Sequence, residues 1–281
     1  MNAAEPTLMT LQEAADAVGC HYQTLYRRVR SGELPTMLCG GSYRISREDL
    51  DTWLRHRDAV AGAVPNRAER DWPRQVDTLY ASLLAGDANA ARQQIDRLIG
   101  GGATVTELCD SAFAPVLFRI GALWREGQLS IADEHRASRI IESLLERASN
   151  ARSKTGPRLG TAVVATALGD RHALAAQMVA AGLQAEGFNV HFLGADLPEA
   201  EIVAMAQREE ADVVALSCCV AEREGLIGAL DALNAAGFPV IVGGNGIGSA
   251  EALQLGAARY GGSIADAQTI ARELVRSRVQ L

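Results

Sequence analysis

Apolar and polar positions along this chain fall into three successive rhythms. Between Thr10 and Gly32 apolar residues recur at helical spacing in two short bursts, Leu11, Ala14, Ala15 and Val18, then Tyr22, Leu25, Tyr26 and Val29. Thr10 with Glu13 three residues on has the form of a helix start, and Gly19 and Gly32 supply stops. The next stretch predicts a small hairpin around Gly40 and Gly41, then a third helix opened by Ser46 with Asp49 three residues later. Residues 58–72 carry no apolar stripe and contain Pro65 and Asn66, which predicts a linker. From Arg74 to about Ser153 strong helix formers dominate, broken at Gly86-Asp87, at Gly100 to Gly102 and at Gly127 to Ser130. Four helices are expected, over about 74–85, 87–99, 104–126 and 130–152, and the short breaks favour an antiparallel bundle.

Beyond residue 158 the rhythm changes again. Continuous apolar runs, TAVVATAL at 161–168, then NVHFLGA, DVVALSCC and PVIVGG, alternate with helical stretches, and a last helix is expected from Ile264 to Arg276. Strands that read as unbroken apolar runs between helices belong to a parallel sheet covered on both faces. Such sheets bind ligands at the carboxyl ends of their strands. The expected organisation is therefore multidomain α and α/β: a winged helix-turn-helix at 1–57, a linker at 58–72, a four-helix bundle at 73–155, and a flavodoxin-like parallel sheet at 158–281.

Composition sharpens this picture at a few points. The formal charge of −7 excludes a protein that coats nucleic acid nonspecifically, since that requires a basic surface to displace counterions. A local basic patch remains: Arg27, Arg28 and Arg30 cluster on the second helix beside Gln23 and Thr24. Two short helices joined by a tight turn form a helix-turn-helix, whose second helix enters the major groove. The alternative for this cluster is an ordinary solvated helix face. Five cysteines, Cys20, Cys39, Cys109, Cys218 and Cys219, form an odd set without a CxxC pair, against both a disulfide framework and a cysteine zinc site. The start MNAAEPTLMT has neither a basic nor an apolar leader region, and no apolar run reaches the length of a membrane span, so a cytoplasmic location is expected.

The order helix, helix, G-x-x-P, basic hairpin, Ser-x-x-Asp-Leu resembles the winged DNA-binding domains of the excisionase and MerR type over about fifty residues. The resemblance implies a wing at Gly40-Gly41 with Arg44 aimed at phosphate.

Two further constellations carry chemistry. The loop after the first strand of the sheet reads Gly169-Asp170-Arg171-His172. Asp170 can accept a hydrogen bond from one ring nitrogen of His172, which leaves the other as a neutral, oriented metal ligand. The plain alternative is a helix-capping Asp followed by a surface His. Ser217 ends the third strand and Gly243-Gly244 the fourth. Asp-x-His, a strand-end Ser and a Gly-Gly pair together resemble cobalamin-binding domains of the methionine-synthase and mutase type. There, by resemblance, His172 is the lower cobalt ligand, Asp170 its orienting partner, and Ser217, Gly243 and Gly244 contact the displaced nucleotide tail. Ala175 stands where that family has a glycine and is expected to narrow the groove mouth. A nucleotide-binding Rossmann unit is the rival, but the first turn lacks G-x-G-x-x-G.

Within the bundle, Trp124 is followed after nine residues by Glu134-His135. This spacing resembles the helical cap of CarH-type photoreceptors, and the resemblance implies that Trp124 packs against the adenosyl group of adenosylcobalamin while Glu134 and His135 line the same pocket. The order of helix-turn-helix, cap and cobalamin fold is that of the CarH family over nearly the whole chain. It implies a non-enzymatic, light-responsive repressor that binds operator DNA as a homo-oligomer. Arg125 stands where many relatives carry a second axial histidine, and it cannot coordinate cobalt. A cobalamin sensor indifferent to light, a sensor with an additional bilin chromophore, and a corrinoid methyl carrier are the other readings.

Overall fold

The computed structural model describes residues 8–18, 22–30, 34–39, 42–60, 70–150 and 158–279. The chain divides into two compact units, Met1–Asp71 and Trp72–Leu281.

The first unit holds β1 (Leu8–Thr10), α1 (Leu11–Val18), α2 (Tyr22–Arg30), β2 (Met37–Cys39), β3 (Ser42–Ser46) and α3 (Arg47–Val60). Where the sequence predicts a two-stranded hairpin, the sheet has three antiparallel strands in the order β1-β3-β2. The added strand is too short to show a period of two, and its last residue, Thr10, also opens α1. Glu13 N donates to Thr10 Oγ1 at 3.1 Å while the Glu13 carboxylate accepts from Thr10 N at 2.7 Å. Ser46 caps α3 in a similar way, accepting from Asp49 N at 3.1 Å. Leu11, Ala14, Ala15, Leu25, Leu34, Ile45 and Leu50 form the core of this unit. Gly19, Gly32 and the Gly40-Gly41 wing lie outside the described residues.

The second unit starts with α4 (Trp72–Ala85), α5 (Ala88–Gly100), α6 (Val105–Leu108), α7 (Ala114–Arg125) and α8 (Ile131–Asn150). Pro73, which in the sequence reads as the end of the linker, sits in the first turn of α4. A proline costs nothing there, because the first amides of a helix have no carbonyl partner. The helix expected over 104–126 runs from Val105 to Arg125 but is interrupted by a π-helical turn at Cys109–Phe113, between α6 and α7. Thr104 and Glu107 open it with a reciprocal capping box.

The remainder is β4 (Thr161–Ala167), α9 (Ala173–Glu186), β5 (Asn189–Leu197), α10 (Glu199–Arg208), β6 (Val213–Ser217), α11 (Glu224–Ala235), β7 (Val240–Gly243), α12 (Ser249–Gln254), β8 (Arg259–Gly261) and α13 (Ile264–Val279). The five strands are parallel in the order β5-β4-β6-β7-β8, the flavodoxin-like order. The sequence reading has four strands here. It misses β8 and α12, because a three-residue strand with Arg259 exposed carries no apolar run.

Both faces of the sheet are covered. Ile202 and Ala206 of α10 and Leu226, Ala229 and Leu230 of α11 pack with Val163, Val214 and Val242 on one side. Ala176 and Leu183 of α9 and Ala271 of α13 pack with Val164, Val213 and Ile241 on the other. The bundle core joins this second layer directly: Met178, Ala181 and Ile264 belong to the same apolar cluster as Leu79, Phe113, Ile120 and Ile141. Polar contacts cross the same seam. Asp110, in the π turn, accepts from the Ile264 and Ala265 amides at 2.9 and 3.1 Å, capping α13. Gln268 donates to Thr106 Oγ1 at 3.0 Å. Among the described residues no helix is long and apolar enough to cross a membrane.

Candidate functional site

The carboxyl edge of the sheet is organised around Asp170. It is buried, and its carboxylate receives three donors: Oδ1 takes His172 N at 2.9 Å and His172 Nδ1 at 2.8 Å, and Oδ2 takes Cys219 N at 2.6 Å. Burial pushes Asp170 up, but the hydrogen bonds from the His172 ring and from the Cys219 and His172 amides outweigh it and hold the carboxyl below the usual carboxylate range. The His172 ring is 61% exposed. Its bond to Asp170 lifts it above the ordinary histidine range despite partial burial, and the charges of Asp170 and Glu134 push the same way. With Nδ1 committed to a carboxylate, the neutral tautomer carries its lone pair on Nε2, the nitrogen suited to a metal.

The loop is braced from a second strand. Thr166, wholly buried at the end of β4, donates its hydroxyl to the Asp170 carbonyl and accepts the Asp196 amide at 3.0 Å. The Asp196 amide also lies 2.9 Å from the Asp170 carbonyl. Asp196 has φ +60°, and its carboxylate accepts from Gly169 N at 2.8 Å and pairs with Arg171 at 3.3 Å. Neither Thr166 nor Asp196 stood out in the sequence. Their position at the carboxyl ends of β4 and β5 is the signal that could have found them.

Ser217 and Gly243 are register partners at the ends of β6 and β7. Ser217 is buried, with its hydroxyl 3.8 Å from Cys219 Sγ. Burial, reinforced by Asp170, pushes the Cys219 thiol up to about 11, so it stays protonated at neutral pH. The two glycines are demanded by the protein itself before any ligand is considered. A Cβ at Gly243 would lie 2.4 Å from the Gly261 carbonyl oxygen, and one at Gly244, where φ is +104°, would lie 2.3 Å from that of Cys218. The expectation that these glycines chiefly clear room for a ligand thus gains a prior cause in backbone-to-backbone packing. Ala175 is half-buried in the first turn of α9.

Across the seam, Ser130 caps α8 by accepting from Asp133 N at 3.1 Å. That cap sets Glu134 in the first turn, where it accepts from Ser138 Oγ at 2.7 Å. The His135 ring is exposed, 3.6 Å from the Glu134 carboxylate. The influence of Glu134 on His172 places cap and loop residues within electrostatic reach of each other. At this end of the bundle Trp124 and Ile131 are 44% and 58% exposed, and at the end of β4 Leu168 is 51% exposed. Arg125 is exposed and donates to the Gly121 carbonyl.

In the first unit Gln23, Thr24, Arg27, Arg28 and Arg30 lie along α2. Arg28 is exposed and the Arg30 guanidinium sits 5.9 Å from the Tyr26 ring centre, while the side chains of Gln23, Thr24 and Arg27 lie outside the described residues. Arg44 is in the central strand β3, opposite Thr10 on one side and Met37 on the other, with its charge felt at Glu13.

Comparison with known proteins adds three family matches: a helix-turn-helix domain at residues 8–58 and B12 binding domains at 75–148 and 160–271. The HTH-type transcriptional repressor CarA of Myxococcus xanthus is 32% identical over 231 residues, covering 74% of this chain and 75% of that protein. Dimethylamine corrinoid protein 2 of Methanosarcina acetivorans is 28% identical over 177 residues, 60% of this chain and 82% of that one. Among solved structures, the Methanosarcina barkeri monomethylamine corrinoid protein superposes with a TM-score of 0.61 at 16% identity, covering 72% of this chain and 99% of its own.

The site's chemistry fits a B12 group. Among the described residues no cluster of three or more His, Cys, Asp or Glu side chains can hold a metal ion. A metal held in a corrin ring asks the protein for an oriented nitrogen, and His172 with its Nδ1 on Asp170 offers one at Nε2.

Proposed function

The chain belongs to the family of HTH-type transcriptional repressors that includes CarA of Myxococcus xanthus, and from that premise we propose a cytoplasmic, cobalamin-sensing transcription regulator that binds adenosylcobalamin and responds to light. The observation that carries the reading is His172 held by buried Asp170 at the sheet's carboxyl edge, within reach of the charge on Glu134 of the cap.

Adenosylcobalamin, when bound, supplies a cobalt–carbon bond that light can break. In this reading His172 would hold cobalt through Nε2, Asp170 keeps the ring in the tautomer that exposes that nitrogen, and Ser217, Gly243 and Gly244 would receive the nucleotide tail. Trp124, Glu134 and His135 enclose the adenosyl side. An indole and two polar groups gain far more from an adenosyl than from a methyl substituent, so the cap selects the adenosyl form. Gln23, Thr24, Arg27, Arg28, Arg30 and Arg44 contact operator DNA, and a homo-oligomer joins several weak heads into one multivalent binder. The chain acts through binding, with no catalytic turnover. Trp124, Glu134 and His135 would favour one cap position while they hold the adenosyl side, and their release from it would shift the population of assembled states.

The test combines dark titration of adenosylcobalamin and methylcobalamin with sizing and operator gel shifts before and after green light. The proposal expects stronger adenosyl binding, a larger species in the dark, and loss of both assembly and gel shift on illumination. Replacing Arg27, Arg28 and Arg30 by Ala should abolish the gel shift and leave cofactor binding intact. Equal affinity for both cofactors and an oligomer indifferent to light would overturn the photoreceptor. Arg125 favours a second reading on that outcome, a cobalamin sensor independent of light, since the residue after Trp124 is an arginine, which cannot ligate a metal.

A further inference from the structure

Resting on the cobalamin reading above, we infer that Arg223 is a positioning residue that makes this site selective for corrinoids carrying a complete nucleotide tail. Its side chain is only 20% exposed and ties together three elements at the carboxyl edge. Nη1 donates to the Val220 carbonyl at 2.6 Å, in the loop between β6 and α11. Nη2 donates to the Gly246 carbonyl at 2.5 Å, in the loop between β7 and α12. Nε pairs with Glu251 of α12 at 2.7 Å. One guanidinium thus clamps the loop that follows Ser217 to the loop that follows Gly243.

The two loops touch backbone on backbone. Cys218 N donates to the Gly243 carbonyl and Gly246 N to the Cys218 carbonyl, both at 2.8 Å. A Cβ at Gly246 would lie 2.4 Å from the Val220 carbonyl oxygen. At Ser217, Gly243 and Gly244 the tail groove assigned to them therefore offers main chain and one small hydroxyl side chain, which cannot re-aim themselves if a loop shifts. Recognition by such a surface depends on holding the loops to within about 0.5 Å, and Arg223 is the side chain whose fork spans both. A lysine offers the same charge and three donors, but they leave a single nitrogen, so it does not match acceptors spread over Nε, Nη1 and Nη2 of a planar fork. The support of His172 is largely separate. It comes from Asp170, Thr166 and Asp196, and shares with these loops the Cys219 amide. Disturbing the clamp should thus act on tail recognition while sparing ligation by His172.

The experiment is a visible-absorption titration of the full chain, wild type, Arg223→Lys and Glu251→Gln, with two probes: hydroxocobalamin, which has the tail, and aquahydroxocobinamide, which has the same ring and exchangeable axial ligands without it. Wild type should prefer hydroxocobalamin. Arg223→Lys should lose about tenfold or more in affinity for hydroxocobalamin while its cobinamide affinity stays within about twofold. Glu251→Gln, at a more exposed position that leaves the arginine in place, should lose about threefold on hydroxocobalamin alone. Arg223→Lys with an unchanged preference, or with equal losses on both probes, overturns the inference. Wild type binding neither probe overturns the cobalamin reading itself.

Discussion

Asp170 and Cys219, 49 positions apart in the chain, meet at 2.6 Å where a carboxylate oxygen accepts a backbone amide. This bond fixes the orientation of the carboxylate whose other oxygen holds His172, so the His172 ring is aimed by β6 as well as by its own loop.

The Asp170–His172 pair makes apoprotein stability depend on pH with a defined sign. His172 is raised above 6.5, so its contribution is complete below about 6.5 and is lost as pH rises through the raised value. Asp170 is lowered below 3.8, so its contribution is present above about 3.8 and is lost as pH falls through the lowered value. In urea melts of the apoprotein, the stability gap between wild type and His172→Gln should be widest near pH 5 and narrow towards pH 9. Solvent screening of the exposed ring limits the effect to no more than about 1 kcal/mol. A gap that widens in alkali contradicts the assignment.

Thr166→Val keeps the shape of the side chain and removes a wholly buried hydroxyl that serves the Asp170 carbonyl and the Asp196 amide. Because the Asp196 amide still reaches the Asp170 carbonyl at 2.9 Å, the loss should cost about 0.5–1.5 kcal/mol. The visible spectrum of bound cobalamin should shift as well, because the loop carrying His172 loosens. Loss of stability with an unaltered spectrum would show that Thr166 supports the fold without aiming His172.

Gly244 and Gly237 separate strain from crowding. Both have positive φ, +104° and +81°, but a Cβ at Gly237 meets nothing within 4 Å whereas one at Gly244 runs into Cys218 backbone. Gly237→Ala should cost about 1–2 kcal/mol for the left-handed conformation alone. Gly244→Ala should cost a further 1–3 kcal/mol or so for overpacking, measured as the difference between the two variants in chemical denaturation. Equal costs would mean that the loops move apart freely.

Asp110→Ala removes the carboxylate that caps α13 from the bundle. A lost cap of this kind should cost about 0.5–2 kcal/mol. Hydrogen exchange should report the loss at Ile264 and Ala265 first. Protection there equal to wild type would rule out the cap.

The main strands of the sheet were legible because a buried parallel strand leaves an unbroken apolar run, and the bundle because helix formers between glycine breaks leave little alternative. His172 and Asp170 were legible because they are close in sequence and follow a strand. Thr166, Asp196, Arg223 and Asp110 were not. Each acts on a partner brought near only by the fold, as Asp110 does on Ile264 at a separation of 154 residues. The π turn was invisible for another reason: Cys109–Phe113 has the composition of ordinary helix, and the bond of its Asp110 to Ile264 spans a separation no local pattern reports.

That π turn also decides how the cap can move. Because Met178, Ala181 and Ile264 share the bundle's apolar cluster, swinging the bundle away like a lid would bare its core to water. Small sliding of packed helices is the motion left to it. Asp110 pins the rod of α6 and α7 at one end and Trp124 rides near the other, about 20 Å away along the helix. The arrangement is a lever with its fulcrum at the sheet. A tilt of about 10° at Asp110 carries Trp124 by about 4 Å over that length, so a slight shift where the rod meets the sheet is magnified at the indole.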